Sequence, residues 1–238
     1  MKKLLVLLVS VVSLNATAQD SPKHLNVLAV NGLNMRSLPD SKARIVTKVQ
    51  YGKRVEVLEK TKAQLQLGWV KDHWYKVKYR GREGYIFGGY LGELSAPITS
   101  VESGLLADVL PNYCAQNFKL IGEKVNSTEL QRGGDTLFHT LSRFTNSSEL
   151  ETEIEGSRRT STLLLKQDVQ SAYVLLQALL KTNAKPQLLE ELKFVKAEDG
   201  SLSRISNASQ TISIRRLSDQ ITELKFTSHL GDSQASVR

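Results

Sequence analysis

The hydrophobic pattern divides the chain into unlike parts. Leu4 to Leu14 is an almost continuous apolar run, of the length of a signal-peptide core and too short to span a bilayer. Lys2 and Lys3 precede it and Ala16-Thr17-Ala18 follows it. Residues 1–18 therefore read as an export signal, with the mature chain expected to begin at Gln19. No later stretch is apolar enough to suggest a membrane-spanning helix.

From Leu25 to Leu94 the pattern changes. Ile45, Val46, Val49, Val55, Val57 and Leu58 fall in short runs cut by turn residues, which predicts several short strands. Lys53-Arg54-Val55-Glu56-Val57 alternates polar and apolar, as a strand with one wet face does. Arg80-Gly81-Arg82-Glu83-Gly84 separates two strand-like runs, and its two glycines can supply positive φ at a hairpin turn. Strands this short bury too little as an open sheet. A small closed or nearly closed barrel supplies both a core and protected edges.

Ser95 to Ser100 is small, hydroxylated and centred on a proline, so residues 95–104 read as a linker. Gly104 to Leu110 predicts one or two helical turns ending before Pro111. Tyr113 to Val125 has no consistent period. Strand signals return at Thr136 to Phe144, Leu150 to Ile154 and Thr160 to Lys166, separated by Asn146-Ser147-Ser148 and Gly156-Ser157-Arg158-Arg159. That is an antiparallel meander. Asp168 is placed to cap a helix running to about Lys181, with Val169, Ala172, Leu176, Leu179 and Leu180 at helical spacing. A short helix or strand over Gln187 to Val195 follows, then strands near 202–205, 211–215 and 221–228. The simplest packing lays the long helix on one face of a twisted antiparallel sheet. The expected architecture is thus a small all-β barrel at 25–94 followed by an α+β domain at 105–230, with a polar tail after Gly231.

Four features of the first segment, in order, resemble the bacterial SH3-like (SH3b) domains of exported and cell-wall proteins. They are Leu33-Asn34-Met35-Arg36-Ser37 with Pro39, Tyr51-Gly52-Lys53-Arg54-Val55-Glu56-Val57-Leu58, Trp74-Tyr75-Lys76-Val77, and Gly84-Tyr85-Ile86 leading to Tyr90-Leu91. The resemblance implies an SH3-like barrel. One departure stands out: the stretch from Lys60 to Asp72 is longer than the family's usual hairpin, and its Leu65, Leu67, Trp69 and Val70 put apolar surface at the hairpin tip. The region from 105 onward resembles no family that its motifs identify.

Charge sharpens the picture. Leu25 to Leu94 holds 13 Lys and Arg against 6 Asp and Glu, whereas Ser95 to Arg238 holds 16 against 17. The basic excess belongs to the barrel segment. In an exported protein it would meet cell-wall polymer, peptide carboxylates or lipid head groups, with nucleic acid disfavoured by compartment. The competing reading is a solubilising surface.

Candidate chemistry is sparse. The only cysteine, Cys114, cannot form an internal disulfide. Its setting, Asn112-Tyr113-Cys114-Ala115-Gln116, lacks the nucleophile pattern of wall-cleaving cysteine peptidases, and a free cysteine of this kind is expected to be a buried small hydrophobe. His24, His73, His139 and His229 lack metal-ligand spacing. Glu149, Glu151, Glu153 and Glu155 alternate along one strand. They read as a solvated face opposite basic residues rather than as a cation or carboxylate-pair site. Neither cofactor nor metal is expected.

In the barrel segment, alternation puts Trp74, Lys76, Lys78 and Arg80 on one face and Tyr75, Val77 and Tyr79 on the other. A bulge that turned Trp74 inward would let Tyr51, Tyr85 and Tyr90 line a groove with it, charged by Arg36 and Lys76. What the resemblance implies for such a groove is contact with wall peptide or another envelope ligand. Aromatic rings would give flat apolar contact and the basic groups would pair with carboxylates. The competing reading places these aromatics in the barrel core.

Three functional readings remain open on these grounds. The first is an exported, non-catalytic binding protein of the periplasm or exterior, its SH3-like domain recognising cell-wall peptide or an envelope protein. The second is an envelope hydrolase with an unfamiliar C-terminal catalytic domain. The third is a scaffold in which the barrel packs against its neighbour domain.

Overall fold

A computed structural model describes residues 23–98, 104–129 and 136–229. The expected signal segment, part of the linker and the polar tail lie outside the described residues. The first sheet contains β1 (His24–Val27), β2 (Leu33–Arg36), β3 (Ile45–Val49), β4 (Arg54–Leu67), β5 (Val70–Tyr79), β6 (Arg82–Phe87) and β7 (Leu91–Gly92), ordered β3-β2-β6-β5-β4-β1-β7. Val27, Met35, Val49, Val55, Val77 and Ile86 meet in one buried cluster. Six strands can share so small a core only because the sheet curls around it into a half-barrel.

Two glycines explain this curl locally. Arg80 and Gly81 form the two-residue β5–β6 turn, both at positive φ (49° and 74°), as the twist of a tight hairpin requires. Gly84, expected in that turn, is instead inside β6. A Cβ there would stand 2.7 Å from Met35 Cγ and 2.8 Å from the Arg36 carbonyl oxygen. Its bare backbone is what lets β2 close against β6.

The second sheet contains β8 (Leu120–Glu129), β9 (Thr136–Phe144), β10 (Glu149–Glu155), β11 (Arg158–Leu165), β12 (Lys193–Lys196), β13 (Leu202–Ser206), β14 (Ile212–Ser218) and β15 (Ile221–His229). Its order is β12-β13-β14-β15-β11-β10-β9-β8, antiparallel throughout. Two helices, α1 (Val109–Asn117) and α2 (Val169–Thr182), lie on one face. The expected long helix on an antiparallel sheet is present, but the domain is mostly sheet and has a second helix. Each half is a helix followed by a four-stranded meander, and β11 and β15 join the halves.

Asp168 caps α2 as expected, its Oδ1 accepting from the Ser171 N–H at 2.7 Å. Leu175, Leu176, Leu179 and Leu180 pack onto Leu163, Ile205, Ile214, Leu224 and Phe226. Two local expectations need correction. Pro111 does not end a helix but sits in the first turn of α1, where its missing N–H is no loss. The patternless stretch after it contains the end of α1 and the start of β8. Among the described residues, no helix is long and apolar enough to cross a membrane.

Candidate functional site

The site begins with the outer face of the half-barrel. On β5, Val77 points into the barrel core, while Val70 and Trp74 point away from it, the alternation a strand imposes. Trp74 pairs across β5–β6 with Phe87, ring centroids 6.4 Å apart and edge-on, and Phe87 meets Tyr90 at 6.0 Å. Val174 of α2 is buried in this same cluster, with Tyr173 beside it. The aromatic face of the barrel is therefore covered by the second domain's long helix.

The six residues assigned to a groove separate accordingly. Arg36, Tyr85 and Lys76 form one cross-strand row, with Arg36 opposite Tyr85 and Tyr85 opposite Lys76. Both cations in that row are engaged: Lys76 Nζ lies 2.9 Å from Glu83, and an Arg36 guanidinium nitrogen donates to the Ala43 carbonyl at 2.6 Å. Trp74 and Tyr90 belong to the cluster under α2, which Tyr85 also packs against, so the row and the cluster meet at Tyr85; burial raises the Tyr90 phenol above its ordinary pKa. Tyr51 stands apart. Its hydroxyl donates to the Pro97 carbonyl at 2.7 Å, and burial holds its phenol far above the usual range. Tyr113 donates likewise to the Ser95 carbonyl at 2.9 Å. The segment after the barrel is thus held from both sides.

A different cleft forms where the long hairpin reaches the second sheet. β4 bulges between Val57 and Glu59 and again between Lys60 and Gln64, and such irregularities bend a hairpin. Its tip, Gly68-Trp69, arrives at β12. Trp69 stacks on Phe194 with centroids 4.4 Å apart and planes 10° apart, and Phe194 meets Tyr173 edge-on at 5.2 Å. Next to it the Lys71 N–H donates to Gln170 Oε1 at 2.8 Å.

Together these contacts enclose a cleft of about 350 Å³ whose lining includes Gln66, Trp69, Lys71, Asp168, Lys196 and Arg216. Trp69 keeps 42 % of its surface exposed. Lys196 Nζ stands 5.7 Å from the centre of its ring. Arg216 stands 4.0 Å from Asp199 Oδ2, while Ser201 gives two hydrogen bonds to Oδ1; those bonds first, and Arg216 after them, hold that carboxyl below the usual carboxylate range. A flat aromatic wall in a cleft lined by Lys71, Lys196 and Arg216, with Asp168 and Asp219 also on its lining, suits a ligand with an apolar body, a carboxylate and a polar or cationic group for the two aspartates. The length of the Lys60–Asp72 stretch was the sequence signal for half of this cleft. The rest comes from β12, β14 and the start of α2, and of these only the Asp168 cap had a local signature.

Other chemistry lies apart from the cleft. Cys114 is fully buried, and burial pushes its thiol up to about 12, which removes the thiolate that nucleophilic chemistry needs at neutral pH. Spacing left His139 isolated, yet the β9–β10 register sets it opposite Glu153, and its Nε2 lies 2.5 Å from Glu151. Glu149 takes Arg143 at 2.8 Å and Glu155 approaches Arg158 at 3.9 Å. Three of the four glutamates thus have a basic neighbour, and Glu153 joins His139 and Glu151 in a group whose ligand atoms lie within 4.8 Å of one another, a juxtaposition that spacing along the chain did not show.

Comparison with known proteins places the half-barrel. Residues 31–92 match the family model of the bacterial SH3 domain, so this segment is a bacterial SH3 domain. The match covers the strands from β2 to β7, including the long hairpin, and stops before the second sheet. No curated protein matches the chain.

Proposed function

We propose that this is an exported, non-catalytic binding protein that takes a carboxylate-bearing envelope ligand, of the cell-wall peptide class, in the cleft between its bacterial SH3 domain and its second sheet. The observation that carries the reading is Trp69: a half-exposed indole held in place by Phe194, with Lys196 against its ring, in a cleft lined by three cations and two carboxylates. Binding modules of this family supply the general role, and Lys2-Lys3, the apolar run and Ala16-Thr17-Ala18 supply the compartment. Clefts at domain junctions are where ligand sites concentrate.

The test is co-sedimentation of the chain from Gln19 onward with insoluble peptidoglycan, followed by titration with a soluble wall peptide near physiological ionic strength. The expected result is binding that persists at that salt and weakens at least tenfold in Lys196→Glu and Arg216→Glu. Binding confined to low salt would reduce it to bulk charge attraction and sink the reading. Loss of binding in Tyr85→Ala with both cleft variants unaffected would move the site to the Arg36–Tyr85–Lys76 row.

One observation favours a second reading, that of a scaffold. Trp74 and Phe87, an aromatic surface a partner could use, are already buried under α2. Absence of wall binding by the wild-type chain would select it.

A further inference from the structure

The two ends of the second sheet hold equivalent places, because each half is a helix followed by a four-stranded meander and the halves meet at β11 and β15. The ends are protected very differently. β12 has four residues, a lysine at each end and a register shift between Val195 and Lys196, and its Phe194 lies under Trp69 of the hairpin tip. Shortness, lysines, irregularity and a cover are the devices that keep an edge strand from pairing with another chain. β8 has ten residues and no proline; it too has a lysine, Lys124, and a register shift, between Leu120 and Gly122, but beyond that shift it runs in unbroken register to Glu129, and length is what distinguishes it. Among the described residues, no strand pairs with its outer edge.

The surface beside β8 is apolar. Ile121 and Val125 are 64 % and 62 % exposed. Val125 lies opposite Thr140, diagonal to Phe138, on the sheet face that carries Leu150 and Leu163. Phe138 is itself 48 % exposed, and α1 packs mainly over β10 and β11. A long open row of backbone donors and acceptors flanked by uncovered valine and phenylalanine is a template for strand addition.

We propose that the occupant is a second copy of this chain, with β8 pairing antiparallel to β8 about a two-fold axis through Val125. The register argues for a copy of itself. With Val125 opposite its mate, Lys124 faces Asn126, and Glu123 and Lys124 each avoid a like charge. Centring the pair on Lys124 sets that lysine against itself, and centring it on Glu123 sets two glutamates together, both unfavourable across a strand pair. The Val125 register also brings two valines and two Phe138 rings onto one face. This contact is isologous and closes, joining two eight-stranded sheets edge to edge.

The decisive experiment is cross-linking. Directly opposite residues in an antiparallel pair have Cβ atoms about 4.5–5.5 Å apart, within easy adjustment of disulfide geometry. Cys114 is buried, so Val125→Cys introduces the one accessible thiol among the described residues. Mild oxidation of Val125→Cys is expected to give a covalent dimer, whereas Val195→Cys at the opposite end stays monomeric. Sedimentation of the wild-type chain over a concentration series is expected to show a monomer–dimer equilibrium, weakened at least tenfold in Val125→Lys. A wild-type chain that stays monomeric at every concentration would overturn the proposal. So would a Val125→Cys protein that cross-links no faster than Val195→Cys. The latter comparison holds even if Val125→Lys fails to fold.

Discussion

Trp69 and Phe194 lie face to face, 4.4 Å apart at 10°, and this one stack ties the SH3 hairpin tip to the edge of the second sheet. Aromatic pairs contribute about 0.5–1.5 kcal/mol beyond the area they bury. A double-mutant cycle of Trp69→Ala and Phe194→Ala, followed by urea unfolding, is expected to return a coupling energy in that range. Additive effects of the two substitutions would mean that the rings are neighbours without being partners.

Asp168 has two roles on adjacent atoms of one structure. It lines the cleft, and its Oδ1 caps α2 through the Ser171 N–H. The first turn of α2 has no other acidic residue to offset the helix dipole. Asp168→Ala is expected to lower stability by about 1 kcal/mol, while Asp168→Asn retains most of the cap. Chemical denaturation of the two variants side by side separates the cap from mere loss of charge.

What was legible in the sequence follows from where water lies. Lys53 to Val57 alternates because one side of β4 faces the core and the other solvent, and α2 shows its stripe because it buries one face. The alternation even placed Trp74 opposite Val77 correctly. It could not reveal that α2 covers Trp74, because that contact joins residues far apart in the chain. β8 was illegible for a related reason. Leu120, Ile121 and Val125 are all exposed, and an edge strand with water around it has little pattern to show. α1 is hard to see because Pro111, Asn112, Cys114, Ala115 and Gln116 give it no strong apolar stripe. The cleft combines both difficulties, since Trp69, Lys196 and Arg216 are brought together only by the packing of one sheet against another.

Val174 is the single position on α2 buried in the cluster of Leu28, Val70, Trp74 and Phe87. A carboxylate there would be buried without a partner, at a cost of several kcal/mol. Val174→Asp is therefore expected to undock α2 from the barrel. Both tryptophans of the chain, Trp69 and Trp74, sit at this junction, so their fluorescence reports on it selectively. The expected signature is a red-shifted emission with far-ultraviolet circular dichroism largely kept, and two unfolding transitions in place of one. Unchanged emission would show that the junction does not depend on Val174.

High pH tests the core from the other side. Burial raises the Cys114 thiol from about 9 to about 12, and it raises the Tyr51 and Tyr113 phenols as well. All three groups are neutral when protonated, so the folded state holds their protons more tightly than the unfolded chain does. Their contribution to stability is complete below about pH 8, before the unfolded thiol, half ionised near pH 9, starts to lose its proton, and is lost progressively as pH rises toward and beyond 12. The urea midpoint is expected to be level from pH 7 to about 8 and to fall steadily above it, with Cys114→Ala showing a shallower fall. In the folded protein the thiol should be silent toward a disulfide reagent at pH 8 and react fully in denaturant. A midpoint that stays level to pH 11 would mean that these groups meet water in the folded state, and that the core around α1 and the phenol contacts to Ser95 and Pro97 are open.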